Sequence, residues 1–244
     1  MQQTLNLSVP QSWQSLSDKQ LRFVFRLLAT EHTLPQVMAL CLFKWAKVRI
    51  HHSEGAIFIV LHKGKRYPVT SLQVAEASQA LKWLDDIPGY PVRLSRIGFH
   101  RPVRADFQDV TFEDFLTLDN LYQGYLATQR EDLLREMAKI MYLANHIRLN
   151  TEEQISIFYW FTSVKQMFAR MFRHFLKPVS TDESMPSLPS LQQLQESMNA
   201  QIRALTGGDI TKEREVLKMD CWRALTELDA KAKDYEDMRK TAKP

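Results

Sequence analysis

The chain has little glycine and little cysteine. Of its 244 residues, 7 are glycine and 2 are cysteine. Average usage would give more than twice as many glycines, so few backbone positions here need a positive φ, and this favours helices. The two cysteines, Cys41 and Cys221, lie far apart within helical patterns. We expect each to fill a small apolar core site rather than to form a disulfide.

Long apolar runs are also missing. The most apolar stretch, ISIFYWF at residues 155–161, is far too short to cross a bilayer. The N-terminal sequence MQQTLNLSVPQSW has no basic region followed by an apolar run, so no secretory signal is expected. These features predict a soluble cytoplasmic protein without a membrane partner.

No motif in the sequence specifies a catalytic centre, since HExxH, CxxC and GxSxG are all absent. Paired acids such as Asp85–Asp86 and Glu152–Glu153 fall at predicted helix ends, where carboxylates are common. His51, His52 and His62 flank a predicted strand, but no carboxylate or cysteine stands at metal-ligand spacing. We therefore expect no enzyme, no metal and no cofactor.

The stretch IRALTGGDITKERE, residues 202–215, contains two adjacent glycines and a Thr-Lys pair. A phosphate-binding Walker loop needs Gly-x4-Gly-Lys-Ser/Thr after a strand, whereas here a helical pattern precedes the glycines. Gly207 and Gly208 instead suit the left-handed end of one helix, and Asp209 or Thr211 suits the N-cap of the next. The stretch therefore predicts the corner of an αα-hairpin.

Helical periodicity dominates the remaining sequence. Ser17, Thr33 and Thr111 are predicted N-caps. Thr151 is predicted to form a capping box with Gln154, at the start of a long helix that runs to about residue 176.

Two segments depart from this helical pattern. AIFIVLHKGKRYPVT predicts one β-hairpin near residues 56–69, with its turn at Lys63-Gly64-Lys65. Residues 87–109 carry repeated proline and glycine, so this basic segment is predicted to be irregular.

The predicted fold class is mainly α, a multi-helix body with one small β-hairpin insertion and a C-terminal αα-hairpin. Residues 177–190, KPVSTDESMPSLPS, are rich in proline and serine and predict an exposed linker. The predicted domains are therefore a body at 1–176 and a helical hairpin at 191–244.

Charge is segregated along the chain. Residues 44–104 contain eleven Lys/Arg against four Asp/Glu, while residues 105–160 contain four against ten. Tyr67 and Phe99 interleave with the basic residues, a pattern typical of single-stranded nucleic-acid grooves, although an acidic protein surface fits equally well. The candidate partner-binding residues here are Lys63, Lys65, Arg66, Arg93, Arg96, Arg101 and Arg104.

The predicted C-terminal helix has a near-heptad apolar seam from Leu217 to Tyr235. A two-helix hairpin alone is marginally stable, so this seam must pack on the main body or on another chain. Any surplus apolar face would be a docking site. Its candidate residues are Trp222, Leu225, Leu228 and Tyr235.

Several stretches resemble a protein family encoded in phages and prophages of anaerobic gut bacteria. They are SWQSLSDKQLRFVFRLLA, TFEDFLTLDNLYQGYLAT, ISIFYWFTSVKQMFARMF and MNAQIRALTGGDITKEREVLKMDCWRALTELDAKAKDYED. The resemblance covers most of the chain and brings no catalytic residues with it. It implies a role in the virion or in tail morphogenesis, like that of a tail assembly chaperone acting beside the tape-measure protein.

The leading hypothesis is therefore a phage tail-morphogenesis factor, either an assembly chaperone or a minor virion structural protein, located in the host cytoplasm or the virion. Its expected partner is a phage structural protein such as the tape-measure or tail-tube protein, or a second copy of itself. The alternative is a nucleic-acid-binding accessory protein that uses the basic 44–104 surface.

Overall fold

The computed structural model describes residues 7–176 and 191–241. The α-helices in this part of the chain are α1 (Asp18–Leu28), α2 (Leu34–Trp45), α3 (Ser71–Ser78), α4 (Phe112–Thr128), α5 (Glu131–Met141), α6 (Thr151–Met171), α7 (Leu191–Thr206), α8 (Glu213–Leu217) and α9 (Cys221–Thr241). The strands are β1 (Arg49–Glu54), β2 (Ile57–His62) and β3 (Lys65–Thr70). The fold is mainly α with one small β insertion, as predicted. Within the described ranges, no helix combines the length and apolar character needed to cross a bilayer.

The chain divides into two compact units. The described residues of unit 1 come from Met1–Pro88 and Asn150–Ser156, and those of unit 2 come from Gly89–Leu149 and Ile157–Pro244. The predicted linker at 177–190 lies outside the described residues. Helices α7, α8 and α9 lie in unit 2 together with α4 and α5.

Unit 1 contains a three-stranded antiparallel sheet in the order β1-β2-β3. Strands β2 and β3 form the predicted hairpin, and their turn places Lys63 and Gly64 at φ of 49° and 78°, as the tightest hairpin turns require. Strand β1 was not predicted, because its sequence RIHHSE lacks alternation and all six residues are exposed. It also contains a bulge between Ile50 and His52.

Helices α1 and α2 begin directly after their predicted N-caps, Ser17 and Thr33. The backbone N–H groups of Ser17 and Thr33 each donate to a glutamine side chain three residues on, at 2.9 Å in both cases. Trp13 links the N-terminal segment to the chain that follows α3. Its indole N–H donates to the carbonyls of Trp83 at 3.1 Å and Asp86 at 2.9 Å.

The start of α6 differs from the prediction, because its cap is Asn150 rather than Thr151. The Glu153 N–H donates to the Asn150 side chain at 2.9 Å, and the Asn150 N–H donates to the Glu153 carboxylate at 3.1 Å. Glu153 also pairs with Arg22 at 2.8 Å, and Glu152 pairs with Arg26 at 2.6 Å. The two acids therefore join this end of α6 to α1 within unit 1.

In unit 2, the expected second helix of the C-terminal hairpin is broken. Helix α8 ends at Leu217, and α9 begins at Cys221. The break arises because the Met219 carbonyl accepts from the Phe112 N–H at 2.8 Å, and the Cys221 N–H donates to Val110 at 2.9 Å. These bonds replace helical ones and attach the C-terminal segment to the start of α4.

The glycine corner after α7 matches the prediction. Gly207 and Gly208 have φ of 65° and 88°, and the Gly208 N–H donates to the Arg203 carbonyl at 3.2 Å. The Asp209 carboxylate accepts from the Thr211 N–H at 3.0 Å and so begins the next turn. The loop is a helix corner with a glycine cap on one side and an aspartate cap on the other.

This geometry predicts that Gly207→Ala and Gly208→Ala each lower the free energy of unfolding by about 1 kcal/mol, because a side chain is strained at positive φ. The space around both positions is open, so φ is the only reason for the loss. Gly89→Ala is the control, since its new Cβ would make only an ordinary contact, 3.5 Å from Arg170. If urea unfolding gave the same free energy of unfolding for all three variants, positive φ at Gly207 and Gly208 would not be the cause of the loss.

Candidate partner-binding sites

The irregular segment of unit 2 is held by three side chains that donate to consecutive carbonyls. The Trp160 indole N–H donates to Ala105 at 2.8 Å, and the Trp222 indole N–H donates to Asp106 at 2.6 Å. The Cys221 thiol donates to the carbonyl of Phe107 at 3.2 Å. Phe107 is fully buried, so this part of the segment is core structure although it forms neither helix nor strand.

Asp106 adds a second set of bonds to the same segment. Its buried carboxylate accepts from the Arg104 guanidinium at 3.2 Å, from the Tyr90 hydroxyl at 3.1 Å and from the Gln108 N–H at 3.3 Å. Burial raises the pKa of Asp106, but these hydrogen bonds outweigh burial, and the net pKa lies below its ordinary value of 3.8. Asp106 is therefore a charged structural anchor.

The four arginines predicted to bind a partner in this segment are not equivalent. The Arg93 guanidinium is half-buried and lies 5.6 Å from the centre of the Trp160 ring. Arg104 forms its ion pair with Asp106. Arg96 and Arg101 are exposed. At least two of the four thus have a structural role within unit 2.

Unit 2 also contains a cleft of about 580 Å³, which we call the basic cleft. Its lining residues are Ile97, Gly98, Phe99, His100, Arg135, Lys139, His146, Ile147 and Arg148. They include three permanent cations, two histidines and one aromatic ring, and none of them is acidic. Clefts of roughly 300–1,000 Å³ are typical of ligand sites.

One wall of the basic cleft is a tight turn at Gly98 and Phe99. The N–H groups of Ile97 and His100 donate to each other's carbonyls at 3.3 and 3.0 Å, and Gly98 has φ of 58°. Ile97 is buried, whereas Phe99 is 89% exposed at the tip of the turn. The turn therefore presents an aromatic ring on a backbone that is fixed at its base.

The other walls come from α5 and from the chain that follows it. Arg135 and Lys139 are four residues apart, so they lie on one face of the helix. His146 and Arg148 are exposed on either side of buried Ile147, and all three line the cleft.

Two hydrogen bonds fix the first wall to these elements. The Tyr142 hydroxyl donates to Leu94 at 2.9 Å, and the Val103 N–H donates to Met141 at 2.9 Å. They join the irregular segment to the end of α5. The position of the Phe99 turn relative to the α5 cations is therefore set by contacts within one unit.

Of the residues that line the basic cleft, the sequence pattern singled out Phe99 but not Arg135, Lys139, His146 and Arg148. These four lie in the stretch 105–160, whose net charge is negative, so a sum over that stretch concealed them. The available signals were the i,i+4 spacing of two cations and the alternation of polar residues around one isoleucine.

The sheet of unit 1 has an open face, formed by Arg49, His52, Glu54, Ile57, Ile59, Leu61, Arg66, Pro68 and Thr70. None of these residues is buried, and Ile57 is 50% exposed. Leu61 lies between Arg49 and Arg66 on the neighbouring strands. The opposite face is covered, because Val60 packs there with Ala46 and Val48.

Exposed cations gather at one end of this sheet. Lys63, Lys65 and Arg66, which the sequence suggested as partner-binding residues, are all exposed around the β2–β3 turn. They belong to unit 1, whereas Arg93 and the arginines that follow it belong to unit 2. The basic residues of 44–104 are thus distributed over two units.

The C-terminal candidates are mostly core residues. Leu225 and Leu228 are buried, because α9 packs on both α4 and α7, so they are not available to a partner. Trp222 packs edge-on against Phe168 and Phe172, with ring centroids 5.4 and 5.9 Å away. Tyr235 is the exception, at 60% exposed.

Neither the cysteines nor the histidines and acids form a reactive or metal-binding cluster among the described residues. Both cysteines are buried and free, and burial raises the pKa of Cys41 to about 12, so its thiol is protonated at neutral pH. Within the described ranges, no group of three or more His, Cys, Asp or Glu side chains is arranged to hold a metal ion.

Comparison of the chain with protein-family models, curated proteins and solved structures finds no match. The structure itself therefore describes the protein, as a mainly helical chain with an open sheet face in unit 1 and a basic cleft in unit 2. The resemblance to a phage family remains a prediction.

The indole bonds predict that Trp222→Phe lowers the free energy of unfolding by about 1–3 kcal/mol more than Trp45→Phe does, because the change leaves a carbonyl unpaired. Trp45 is a matched control, since its buried indole N–H has no acceptor among residues 7–176 and 191–241. Urea unfolding followed by circular dichroism measures both variants. Equal losses would show that the bond to Asp106 contributes nothing.

The lowered pKa of Asp106 predicts a pH dependence. Because its pKa is lower in the folded than in the unfolded chain, the ionised Asp106 carboxylate stabilises the fold at pH values above its unfolded-state pKa. This stabilisation is lost as the pH falls through the folded-state pKa. The stability difference between the wild type and Asp106→Asn should therefore be constant above about pH 5 and shrink below about pH 4. A difference that does not change with pH would contradict this role.

Proposed function

We propose that the protein is a non-catalytic assembly factor of phage tail morphogenesis that binds a phage structural protein, such as the tape-measure or tail-tube protein. The observation that supports this proposal is the open face of the unit 1 sheet. It combines an apolar row on β2 with cations on both neighbouring strands. The resemblance to a phage family, rather than any structural comparison, gives the biological setting.

The open face suits one kind of partner, an amphipathic helix with acidic residues beside its apolar stripe. Ile57, Ile59 and Leu61 lie on one side of the central strand and remain partly or well exposed. Burying them against an apolar stripe is favourable at about 25 cal/mol per Å². Arg49 and Arg66 flank Leu61, so acidic side chains at the stripe's edges would meet opposite charge.

The surface chemistry also fits a reversible, holding role. Exposed charge pairs steer association and weaken as salt screens them, while the apolar contact persists. A factor that holds a partner only until the partner polymerises needs a surface that releases it. A face of modest size with a basic end provides this more readily than a deep apolar pocket does.

Co-expression with the tape-measure or tail-tube protein, followed by pull-down of a tagged chain, tests the proposal. We expect association in low and moderate salt, reduced at least about tenfold by Ile57→Asp combined with Arg66→Glu. Lys19→Glu, a charge reversal at an exposed position on α1, is the control and should bind normally. Circular dichroism must show that the variants remain folded.

Two results would overturn this function. One is the absence of association with either structural protein in low salt. The other is equal binding by the double variant and the wild type, which would show that the open face is not the contact.

A further inference from the structure

We propose that the basic cleft of unit 2 binds single-stranded nucleic acid, with one base stacked on Phe99 and the adjoining phosphates paired with Arg135, Lys139 and Arg148. This site is separate from the sheet face of unit 1 and does not depend on the tail-assembly role. It also differs from the sequence-based alternative, which assigned nucleic acid to the basic residues of 44–104.

The exposed ring of Phe99 is the feature that most specifically favours a nucleic acid. Its ring is 89% exposed, and the ring contact described for it is with His100, at 5.4 Å between centroids. The bridge between Ile97 and His100 holds the ring outward at the tip of the turn. An aromatic ring displayed in this way beside cations is the element on which single-stranded nucleic acids stack their bases.

The cations of the basic cleft suit a sugar-phosphate backbone. Within the described part of the chain, neither Arg135 nor Arg148 forms a salt bridge. Arg135 does lie near the Asp132 carboxylate, whose pKa is lowered by Arg130 and, more weakly, by Arg135. Lys139 pairs with Glu136 at 2.8 Å, and that carboxylate is not among the lining residues. The lining thus carries three positive charges and no negative charge.

The size of the basic cleft and the side chains that line it further restrict the kind of ligand that it can bind. A cleft of about 580 Å³ lies within the size range of ligand sites and is large enough for a nucleotide. No asparagine, glutamine, aspartate or glutamate lines it, so the amide and carboxylate side chains that pair with adenine and cytosine edges are missing. In the proposed binding mode, its arginines and lysine pair with phosphates. We therefore expect binding with little sequence preference.

An acidic peptide is the competing anion, and Phe99 distinguishes the two. Carboxylates would use the three cations, but they gain nothing from an exposed aromatic ring. A base gains stacking energy from that ring whatever its sequence. The presence of the ring beside the cations therefore favours the nucleic acid.

Fluorescence anisotropy with a labelled oligothymidylate of about ten nucleotides tests the site in the full-length chain. Phe99→Ala should weaken binding by about 5- to 150-fold without changing the salt dependence, because it removes stacking alone. Arg135→Gln with Arg148→Gln should reduce the slope of log K against log salt by about 1.4, measured between about 50 and 200 mM salt.

Two variants in the same unit serve as controls. Tyr235→Ala removes an exposed aromatic ring, and Arg223→Gln removes an exposed cation, both on α9. Neither should alter the affinity by more than about twofold, since both lie outside the basic cleft.

The outcomes separate the ligands. Tight oligothymidylate binding that falls with Phe99→Ala supports the proposal. No binding in low salt overturns it. Binding that is insensitive to Phe99, or that is matched by a polyglutamate peptide of equal charge, also overturns it and makes the cleft a site for acidic protein. The pull-down of the unit 1 variants is unaffected by any of these results.

Discussion

The hydrogen bonds from Trp160, Trp222 and Cys221 to three consecutive carbonyls are the constraint on which unit 2 depends. A segment without helix or strand has no regular partners for its backbone groups, and burying them unpaired would cost several kcal/mol in total. Here the donors come from α6 and α9, the two longest helices among the described residues. The segment can therefore lie in the core, and both helices are oriented by the bonds they donate to it.

The basic cleft follows from that arrangement. Residues 105–107 are fixed by these bonds. The chain just before them is held by two further bonds, since the Val103 N–H donates to Met141 and the Leu94 carbonyl accepts from Tyr142, both at the end of α5. The Phe99 turn, which is closed by the hydrogen bonds between Ile97 and His100, then lines the same cleft as the α5 cations. Unit 1 has an open sheet face for a different reason, because its core covers one side of the small sheet and leaves the other side uncovered.

Sequence patterns predicted the features that are local. The N-caps at Ser17 and Thr33, the hairpin of β2 and β3, and the glycine corner each depend on a few adjacent residues. The missed features depend on distant partners. Strand β1 exists because β2 pairs with it, and the break before Cys221 exists because Val110 and Phe112 bond to that segment. The cations of the basic cleft converge only through the tertiary fold, so charge counting along the chain could not find them.

Native-state hydrogen exchange tests the central claim most directly, namely that the irregular segment of unit 2 is core structure. The N–H groups of Val103, Phe107 and Val110 each donate to a backbone carbonyl at 2.9–3.2 Å. They should exchange as slowly as the amides in the buried part of α6, with the same dependence on denaturant, because they open only when the unit unfolds. Fast exchange of these three amides while α6 stays protected would contradict the account.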